Sequence, residues 1–360
     1  MNKNNKSSIW DLDIGRVSLD QKAIFSKNLS LMLKSGLTIN ESLRIAQDST
    51  PGKLKRIISK ILKSIESGRS LSESFSQYPR VFPSIFISAT NAGEESGTLI
   101  ENLENISRQL EKEKELSSKI KGAMLYPLVI LVASFVLGMA MVFLVLPKIT
   151  PLFEGLKIDL PLTTRALISF SNSVQSHGIF LFSGIIVFVF LVIYFLRMKF
   201  SKPFVHWFIL RIPIIKKIAK SSNLARFSRT LAMLLKSGVS IDKALSIMKK
   251  TTNNYYYKKS LNKISQDIKK GTRLSDNLEL FQNLFPIMLV KMIKVGEESG
   301  RFEETLFYLA DYYELEVDAA TKSLSTAIEP FLLVVIGLVV GFLALSIITP
   351  IYDITSGIRR

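Results

Sequence analysis

The sequence has 360 residues, 48% of them hydrophobic and 21% charged, with a mean hydropathy of +0.27 that is high for a soluble protein. The absence of cysteine excludes a disulfide framework and a thiolate metal site, and the only two histidines, His177 and His206, are far apart in the chain. The formal net charge of +17 favours an anionic partner, either nucleic acid or anionic lipid headgroups.

The beginning of the chain predicts a cytoplasmic helical module. The first ten residues lack the apolar core of a cleaved signal peptide, so the amino terminus is expected to stay in the cytoplasm. An amphipathic helix is predicted from apolar residues that recur three and four positions apart, namely Phe25, Leu29, Met32 and Leu33. Gly36 comes after a lysine in the last turn and is predicted to end this helix, while Thr38 and Glu41 form a capping-box pattern for the next. Pro83 suits the first turn of a further helix.

A Gly-Glu-Glu-Ser-Gly segment is the clearest candidate for a functional site, and it occurs twice. Its members are Gly93, Glu94, Glu95, Ser96 and Gly97, and again Gly296, Glu297, Glu298, Ser299 and Gly300. Its acidic pair could contact a basic partner or a cation. The alternative is a corner between two helices, in which the first glycine ends one helix and the serine starts the next. The corner is preferred because a turn needs these residue types for its conformation alone.

Three apolar runs without a charged residue are predicted to span a membrane, at 128–146, 179–196 and 331–349. A helix of that length covers roughly 27–29 Å, about one hydrocarbon core. Nine basic residues and no acidic ones lie between Arg197 and Arg229, whereas the connection 147–178 carries three basic and two acidic residues. The positive-inside rule therefore predicts a cytoplasmic amino terminus and an external carboxyl terminus. The basic stretch is interpreted as membrane-anchoring charge rather than as a nucleic-acid groove.

An internal duplication is the strongest signal in the sequence. Residues 25–36 match 227–238 with seven of twelve positions identical. Further matches at a separation of 203 are 68–75 with 271–278, Phe82-Pro83 with Phe285-Pro286, the Gly-Glu-Glu-Ser-Gly segments, and Pro127 and Pro147 with Pro330 and Pro350. Gly238 and Ser240 repeat the helix end and the N-cap predicted in the first copy. Two spans lie between the copies, so both modules are placed on the same side of the membrane.

The predicted fold is all-α, with two homologous cytoplasmic helical bundles of about six helices each and three transmembrane helices. The last helix of each bundle is expected to run into a span. In chain order the segments are a flexible N-terminal segment (1–20), cytoplasmic domain 1 (21–120), the first span region (121–147), an external loop (148–178), the second span (179–196), a basic juxtamembrane segment (197–222), cytoplasmic domain 2 (223–324), the third span region (325–349) and an external tail (350–360).

The sequence gives no indication of catalysis. It has no P-loop, dinucleotide-binding, zinc-protease or nucleophile-elbow motif, so no catalytic, cofactor-binding or metal-binding residue is assigned. No ionisable residue lies inside a span, which argues against a transport pathway. Small residues at helix-packing spacing are predicted to contact another helix: Ser134, Gly138, Gly337 and Gly341.

The paired blocks, "FSKNLSLMLKSGL" with "GEESGTLIENL" and "FSRTLAMLLKSGV" with "GEESGRFEETL", resemble the type II secretion system F family over nearly the whole chain. This resemblance implies a non-enzymatic platform protein of the bacterial inner membrane, in a type II secretion, type IV pilus or competence system. It implies as partners a cytoplasmic assembly ATPase, pilins or pseudopilins, other inner-membrane assembly components, membrane lipids and further copies of the chain, but no nucleic acid and no cofactor.

Other functions stay open on the sequence alone. A transporter or channel subunit would need a polar path built by several copies, and a membrane-bound enzyme would need a site without the usual motifs. The sequence leaves open which filament system is served and which module contacts the ATPase.

Overall fold

A computed structural model describes residues 17–141, 143 and 201–357, with scattered positions between 165 and 198. Over the continuous described ranges, every regular element is a helix. The helices are α1 (Leu19–Lys34), α2 (Ile39–Ser49), α3 (Gly52–Glu66), α4 (Leu71–Ser76), α5 (Ser84–Ser96), α6 (Leu99–Ala140), α7 (Lys202–Ile209), α8 (Pro213–Lys236), α9 (Ile241–Thr251), α10 (Tyr255–Ile268), α11 (Leu274–Glu279), α12 (Ile287–Ser299) and α13 (Phe302–Gly357). The all-α prediction is confirmed.

The duplication is visible in the order and length of the helices. Helices α1–α6 form the first repeat and α8–α13 the second, so each repeat contains the predicted six. Helices α4 and α11 both have 6 residues, and α5 and α12 both have 13. The last helix of each repeat is much longer, with 42 residues in α6 and 56 in α13. As predicted, both of these helices continue into an apolar run.

Backbone hydrogen bonds and capping residues are found at the helix ends that the sequence predicted. The amide of Gly36 donates to a carbonyl in the last turn of α1 at 3.0 Å, and Gly238 does the same after α8 at 2.9 Å. Thr38 forms the predicted capping box with Glu41 at the start of α2. Ser240 occupies the corresponding N-cap of α9 without a side-chain capping bond. Pro83 and Pro286 are the N-cap residues of α5 and α12, one residue before the first turn in which a proline was predicted.

Each repeat has an aromatic core, but the two cores distribute their volume differently. In the first, the ring of Phe82 lies 4.4 Å from that of Phe75 and 4.9 Å from that of Phe86. In the second, Tyr257 packs 5.4 Å from Phe285 and donates its hydroxyl to a backbone carbonyl at 2.9 Å. The exchanged positions are Leu54, Phe75 and Phe86 in the first repeat and Tyr257, Leu278 and Leu289 in the second. One large side chain thus replaces two, which keeps the core filled.

The helical parts of the two repeats pack into one compact unit, formed by the described part of Met1–Ser118 together with Lys216–Val317. The buried amide of Asn102 in α6 donates to the carbonyl of Ser237 at the end of α8, at 3.2 Å. The Arg226 Nε lies 2.9 Å from both carboxylate oxygens of Glu113. Met233 of the second repeat belongs to the hydrophobic core of the first. The two bundles are therefore not independent, which the sequence did not reveal.

A partly buried ion pair links α8 to α13 within this unit. The side chain of Arg229 is only 12% exposed, and its Nε lies 2.6 Å from Glu314, which is 16% exposed. A second guanidinium nitrogen contacts Asp311. Burial opposes the charge of Arg229, but the hydrogen bonds to both carboxylates outweigh it and raise the pKa of the guanidinium. Arginine suits this position because its planar group can bind two carboxylates at once.

The second compact unit consists of the described residues of Lys119–Ile215 and Asp318–Arg360. Among the residues that the structure describes, two helical stretches are long and apolar enough to cross a membrane, Leu99–Ala140 and Phe302–Phe342. Pro127 lies within α6, and α13 continues through Pro330 to Gly357. The second predicted span and the external loop 148–178 lie largely outside the described residues, as do residues 1–16 and 358–360. The domain boundaries and the three-span topology remain predictions.

Candidate partner-contact site at the repeated acidic segment

The Gly-Glu-Glu-Ser-Gly segment lies at the end of a helix in each repeat. Helices α5 and α12 continue through its first glycine and end at its serine, Ser96 or Ser299. The next residue, Gly97 or Gly300, has a φ of 75° or 70°, in the left-handed region that favours glycine. The expectation that the first glycine ends the helix and the serine starts the next one was therefore wrong. Only the second glycine has the backbone conformation of a helix end.

The first glycine of the segment is needed for close packing instead. A Cβ on Gly93 would lie 2.8 Å from the Cα of Leu99 and 3.0 Å from the side-chain amide of Asn102. On Gly296, it would lie 2.8 Å from the hydroxyl of Thr305. Both glycines are buried, and both are in contact with the first turns of the long helix that follows. The segment therefore holds the fifth helix of each repeat against the sixth.

The first glutamate anchors a neighbouring short helix. The carboxylate of Glu94 accepts hydrogen bonds from the backbone amides of Leu71 at 2.6 Å and Ser72 at 3.0 Å, in the first turn of α4. Glu297 accepts the equivalent pair from the first turn of α11, at 2.9 and 3.1 Å. Amides at a helix start have no partner within the helix, and they carry the positive end of its dipole. Each carboxylate therefore accepts hydrogen bonds from two amides that have no partner within the helix. It also lies at the positive end of the helix dipole, where a negative charge is favoured.

The second glutamate faces solvent in both repeats. Glu95 is exposed and accepts a hydrogen bond from the side-chain amide of Asn91 at 2.7 Å. The side chain of Glu298 is 52% exposed and lies 3.4 Å from that of Arg273, which is 60% exposed. The hydroxyl of Ser96 donates to a carbonyl one turn earlier at 2.6 Å. The second member of the acidic pair is the exposed one, and its internal contacts are with side chains rather than with the backbone amides of a neighbouring helix. Its role as a partner contact remains a prediction.

The arrangement of these side chains does not form a metal centre. Within the part of the chain that the structure describes, no group of three or more histidine, aspartate or glutamate side chains is placed to hold a metal ion. The two glutamates of each segment differ in environment: the first binds backbone amides of a neighbouring helix, and the second is exposed to solvent.

The predicted membrane-helix packing residues lie on the apolar parts of α6 and α13. Ser134 and Gly138 are partly exposed on α6. A Cβ built on Gly138, Gly337 or Gly341 would meet no atom within 4 Å. No described helix of this chain is packed closely against these glycines, so their predicted helix contact stays a prediction.

A repeated basic surface escaped the sequence analysis. The third helix of each repeat exposes basic residues at matching positions, Lys55 and Lys60 in α3 and Lys258 and Lys263 in α10. None of these four lysines forms an ion pair with a residue that the structure describes. We call them the third-helix basic faces. The lysines keep the separation of 203 and were therefore detectable in the sequence, although the residues around them match poorly between the repeats.

Comparison with known proteins agrees with the duplicated architecture. The family model of the type II secretion system (T2SS), protein F, matches the sequence twice, at residues 25–147 and 227–350. Each match includes one helical bundle and the apolar run that follows it.

Curated relatives match nearly the whole chain. A type IV pilus assembly protein PilC of Thermus thermophilus is 33% identical over 339 residues, which cover 93% of this chain and 83% of the relative. The protein of the same name from Pseudomonas aeruginosa is 30% identical over 335 residues, with 92% and 89% covered. A type II secretion system protein F of Aeromonas hydrophila is 28% identical over 340 residues, with 94% and 87% covered.

Proposed function

We propose a function from one premise: the chain belongs to the family of type II secretion system protein F. It serves as an inner-membrane platform protein of a type IV pilus or type II secretion machine. The relatives named for pilus assembly and those named for secretion match it over similar lengths. The role is one of assembly rather than catalysis, and it requires no cofactor.

The platform couples a cytoplasmic assembly ATPase to the insertion of pilins or pseudopilins into a filament. The observation that carries this proposal is the continuity of α6 and α13. Each begins in a helical bundle and contains an apolar run long enough to cross a membrane, and no loop separates the two parts. A continuous helix can pass a displacement of the bundle to the membrane segment, whereas a flexible loop would absorb it.

The proposed topology has three spans, a cytoplasmic amino terminus and an external carboxyl terminus. It is supported by the nine basic residues between Arg197 and Arg229, which the positive-inside rule places in the cytoplasm. In this arrangement both bundles meet cytoplasmic partners, while the spans and the connection 148–178 meet pilins and other inner-membrane components. The small residues of α6 and α13 are available for contact with a second copy of the chain.

The third-helix basic faces are the proposed contact for the ATPase. Lysines exposed on one side of a helix attract an acidic protein surface and guide its approach. The faces occur at the same position in both repeats, so either bundle, or both, could be engaged.

The platform function is tested by deleting the gene in its source bacterium. Deletion is expected to abolish pili or pseudopili, as counted by electron microscopy of sheared filaments. Expression of the intact gene from a plasmid should restore them. Normal filament assembly in the deletion strain would refute the proposal.

Charge reversal on the third-helix basic faces should impair assembly without unfolding the chain. The double substitutions Lys55→Glu with Lys60→Glu, and Lys258→Glu with Lys263→Glu, test the two faces separately. ATPase binding is expected to weaken about tenfold or more in the variant of a repeat that binds the ATPase. Retention of the ATPase by the solubilised platform protein measures the contact, and filament counts measure its consequence. The repeat whose variant loses more ATPase is the one that binds it.

A matched control is available in α12. Lys291 and Lys294 are exposed one turn apart, and the first repeat has no lysine at the corresponding positions. Their replacement by glutamate changes the net charge equally and should leave ATPase retention unchanged. Equal losses in all three double variants would indicate a general charge effect and argue against a specific face.

A further inference from the structure

A cavity of about 550 Å³ lies in the compact unit that contains both helical bundles. The first repeat contributes walls from α1, α5 and α6, and the second contributes walls from α8, α9 and α10. Much of the lining is apolar and includes Phe86, Ile106, Leu110, Met233 and Met248. A volume of this size is in the range of small-molecule sites, which typically combine apolar walls with a few polar groups.

Lys22 is the unusual member of this lining. It lies on the buried side of α1 with Phe25, Ser26 and Leu29, and it is only 9% exposed. The corresponding residue of the second repeat is Leu224, which is 1% exposed. The first repeat therefore has a cation at a position where the same fold accommodates a leucine.

The ammonium group of Lys22 has no acidic partner among the described residues. No described carboxylate lies within ion-pair distance of it, and burial lowers the pKa of the ammonium below its ordinary value. The fold itself does not require a lysine here, because the corresponding position of the second repeat holds Leu224. Groups of this kind are characteristic of sites that gain their partner from a ligand.

Other polar groups of the cavity are compatible with an anion. Glu113, the only carboxylate among the described lining residues, is already paired with Arg226, with its oxygens 2.9 Å from the Arg226 Nε. Together with Lys22, these groups leave one net positive charge. The side-chain oxygen of Gln109 is buried and has no hydrogen-bond partner among the described residues, while its amide nitrogen donates to Thr230 at 3.3 Å. The cavity thus has an unmatched cation and an unmatched acceptor.

We propose that this cavity binds a small organic anion between the two repeats, with Lys22 contacting its acidic group and Gln109 accepting a hydrogen bond from a donor on it. The apolar walls cover the body of the ligand. Because both repeats contribute to the walls, the bound anion stabilises their packing against each other. The proposal does not depend on the platform function, since it concerns a binding site that any role of the chain could use.

Binding is tested by thermal unfolding of the full chain in lipid nanodiscs, with and without three probes. Decanoate carries a carboxylate on an apolar chain, adenosine 5′-monophosphate carries a phosphate on a planar base, and inorganic phosphate carries the charge alone. We expect at least one of the two organic anions to raise the melting temperature in a saturable manner and inorganic phosphate to have a much smaller effect. A response to decanoate points to a lipid-derived ligand, and a response to the nucleotide points to a soluble metabolite.

Substitution of Lys22 separates a ligand-binding role from a structural one. Lys22→Met should leave the free chain at least as stable as the wild type, because it keeps an apolar chain of similar length and removes a charge that burial disfavours. It should also weaken binding of the organic anion about tenfold or more. Lys27→Met is the control, since Lys27 lies on the same helix with its side chain 59% exposed, and it should keep the wild-type response.

A second variant, Gln109→Glu, tests the cavity without altering Lys22. It keeps the size of the side chain and adds a negative charge to the lining, so it should weaken the same anion response. The proposal is overturned if neither organic anion stabilises the wild type. An undiminished response in Lys22→Met would overturn it equally.

Discussion

Replacement of Gly93 by alanine is expected to destabilise the chain by about 3 kcal/mol, the upper part of the range for an overpacked core. The added Cβ would lie 2.8 Å from the Cα of Leu99, a backbone atom that cannot rotate away. It would also lie 3.0 Å from the side-chain amide of Asn102. That amide donates to the carbonyls of Ala89 and Ser237, at 3.1 and 3.2 Å. The substitution therefore disturbs both the packing of α5 on α6 and a hydrogen bond between the repeats.

The matching change in the second repeat should be milder and open to rescue. A Cβ on Gly296 meets the hydroxyl of Thr305 at 2.8 Å and its Cβ at 2.9 Å, so the obstacle is a side chain rather than backbone. We expect Gly296→Ala to cost about 2 kcal/mol. Adding Thr305→Ala should recover part of that loss, and the two changes should not be additive because the residues touch.

Gly122 supplies the control for both substitutions. It lies inside α6, and a Cβ there would meet no atom within 4 Å. Gly122→Ala should be neutral or stabilising by about 0.5–1 kcal/mol, because alanine is the better helix former. The three variants are compared by thermal unfolding of the purified chain. Equal melting temperatures for Gly93→Ala and Gly122→Ala would contradict the packing argument.

The fold was predictable from sequence where the signals were local or repeated. The helix end at Gly36 and the capping box of Thr38 and Glu41 depend on residues within one or two turns. The duplication multiplied such signals, because one helix boundary predicts its counterpart 202 or 203 residues later. The apolar parts of the long sixth helices were also predictable, because hydropathy is a local property of a continuous segment.

The interior of the candidate site was not predictable because its contacts join distant parts of the chain. Glu94 binds amides 22 and 23 residues earlier, and nothing in the local sequence indicates them. The acidic pair therefore looked uniform in sequence, although the two members have different environments. The cavity could not be predicted for the same reason, since its walls come from both repeats. One sequence signal was available for it, the match of Lys22 with Leu224 at the separation of 202.

The acidic pair provides the second large prediction, because substitution of its first member should destabilise the chain and substitution of its second member should not. Glu94→Ala removes the acceptor of two amides at the start of α4 and should cost about 2–3 kcal/mol. Glu297→Ala should cost a similar amount in the second repeat, where the carboxylate also binds a serine hydroxyl at 2.5 Å. Glutamine at either position keeps one carbonyl acceptor and should lose about half as much.

Alanine at the exposed members, Glu95 and Glu298, should change stability by no more than about 0.5 kcal/mol. These two variants therefore isolate partner contact from folding. Thermal unfolding of the purified chain separates the two classes of variant, and filament counts in the deletion strain then report assembly. If the segment contacts a basic partner, the exposed variants remain folded and membrane-inserted but assemble fewer filaments. If they assemble normally while Glu94→Ala and Glu297→Ala unfold, the acidic segment serves only to fasten the fourth, fifth and sixth helices of each repeat.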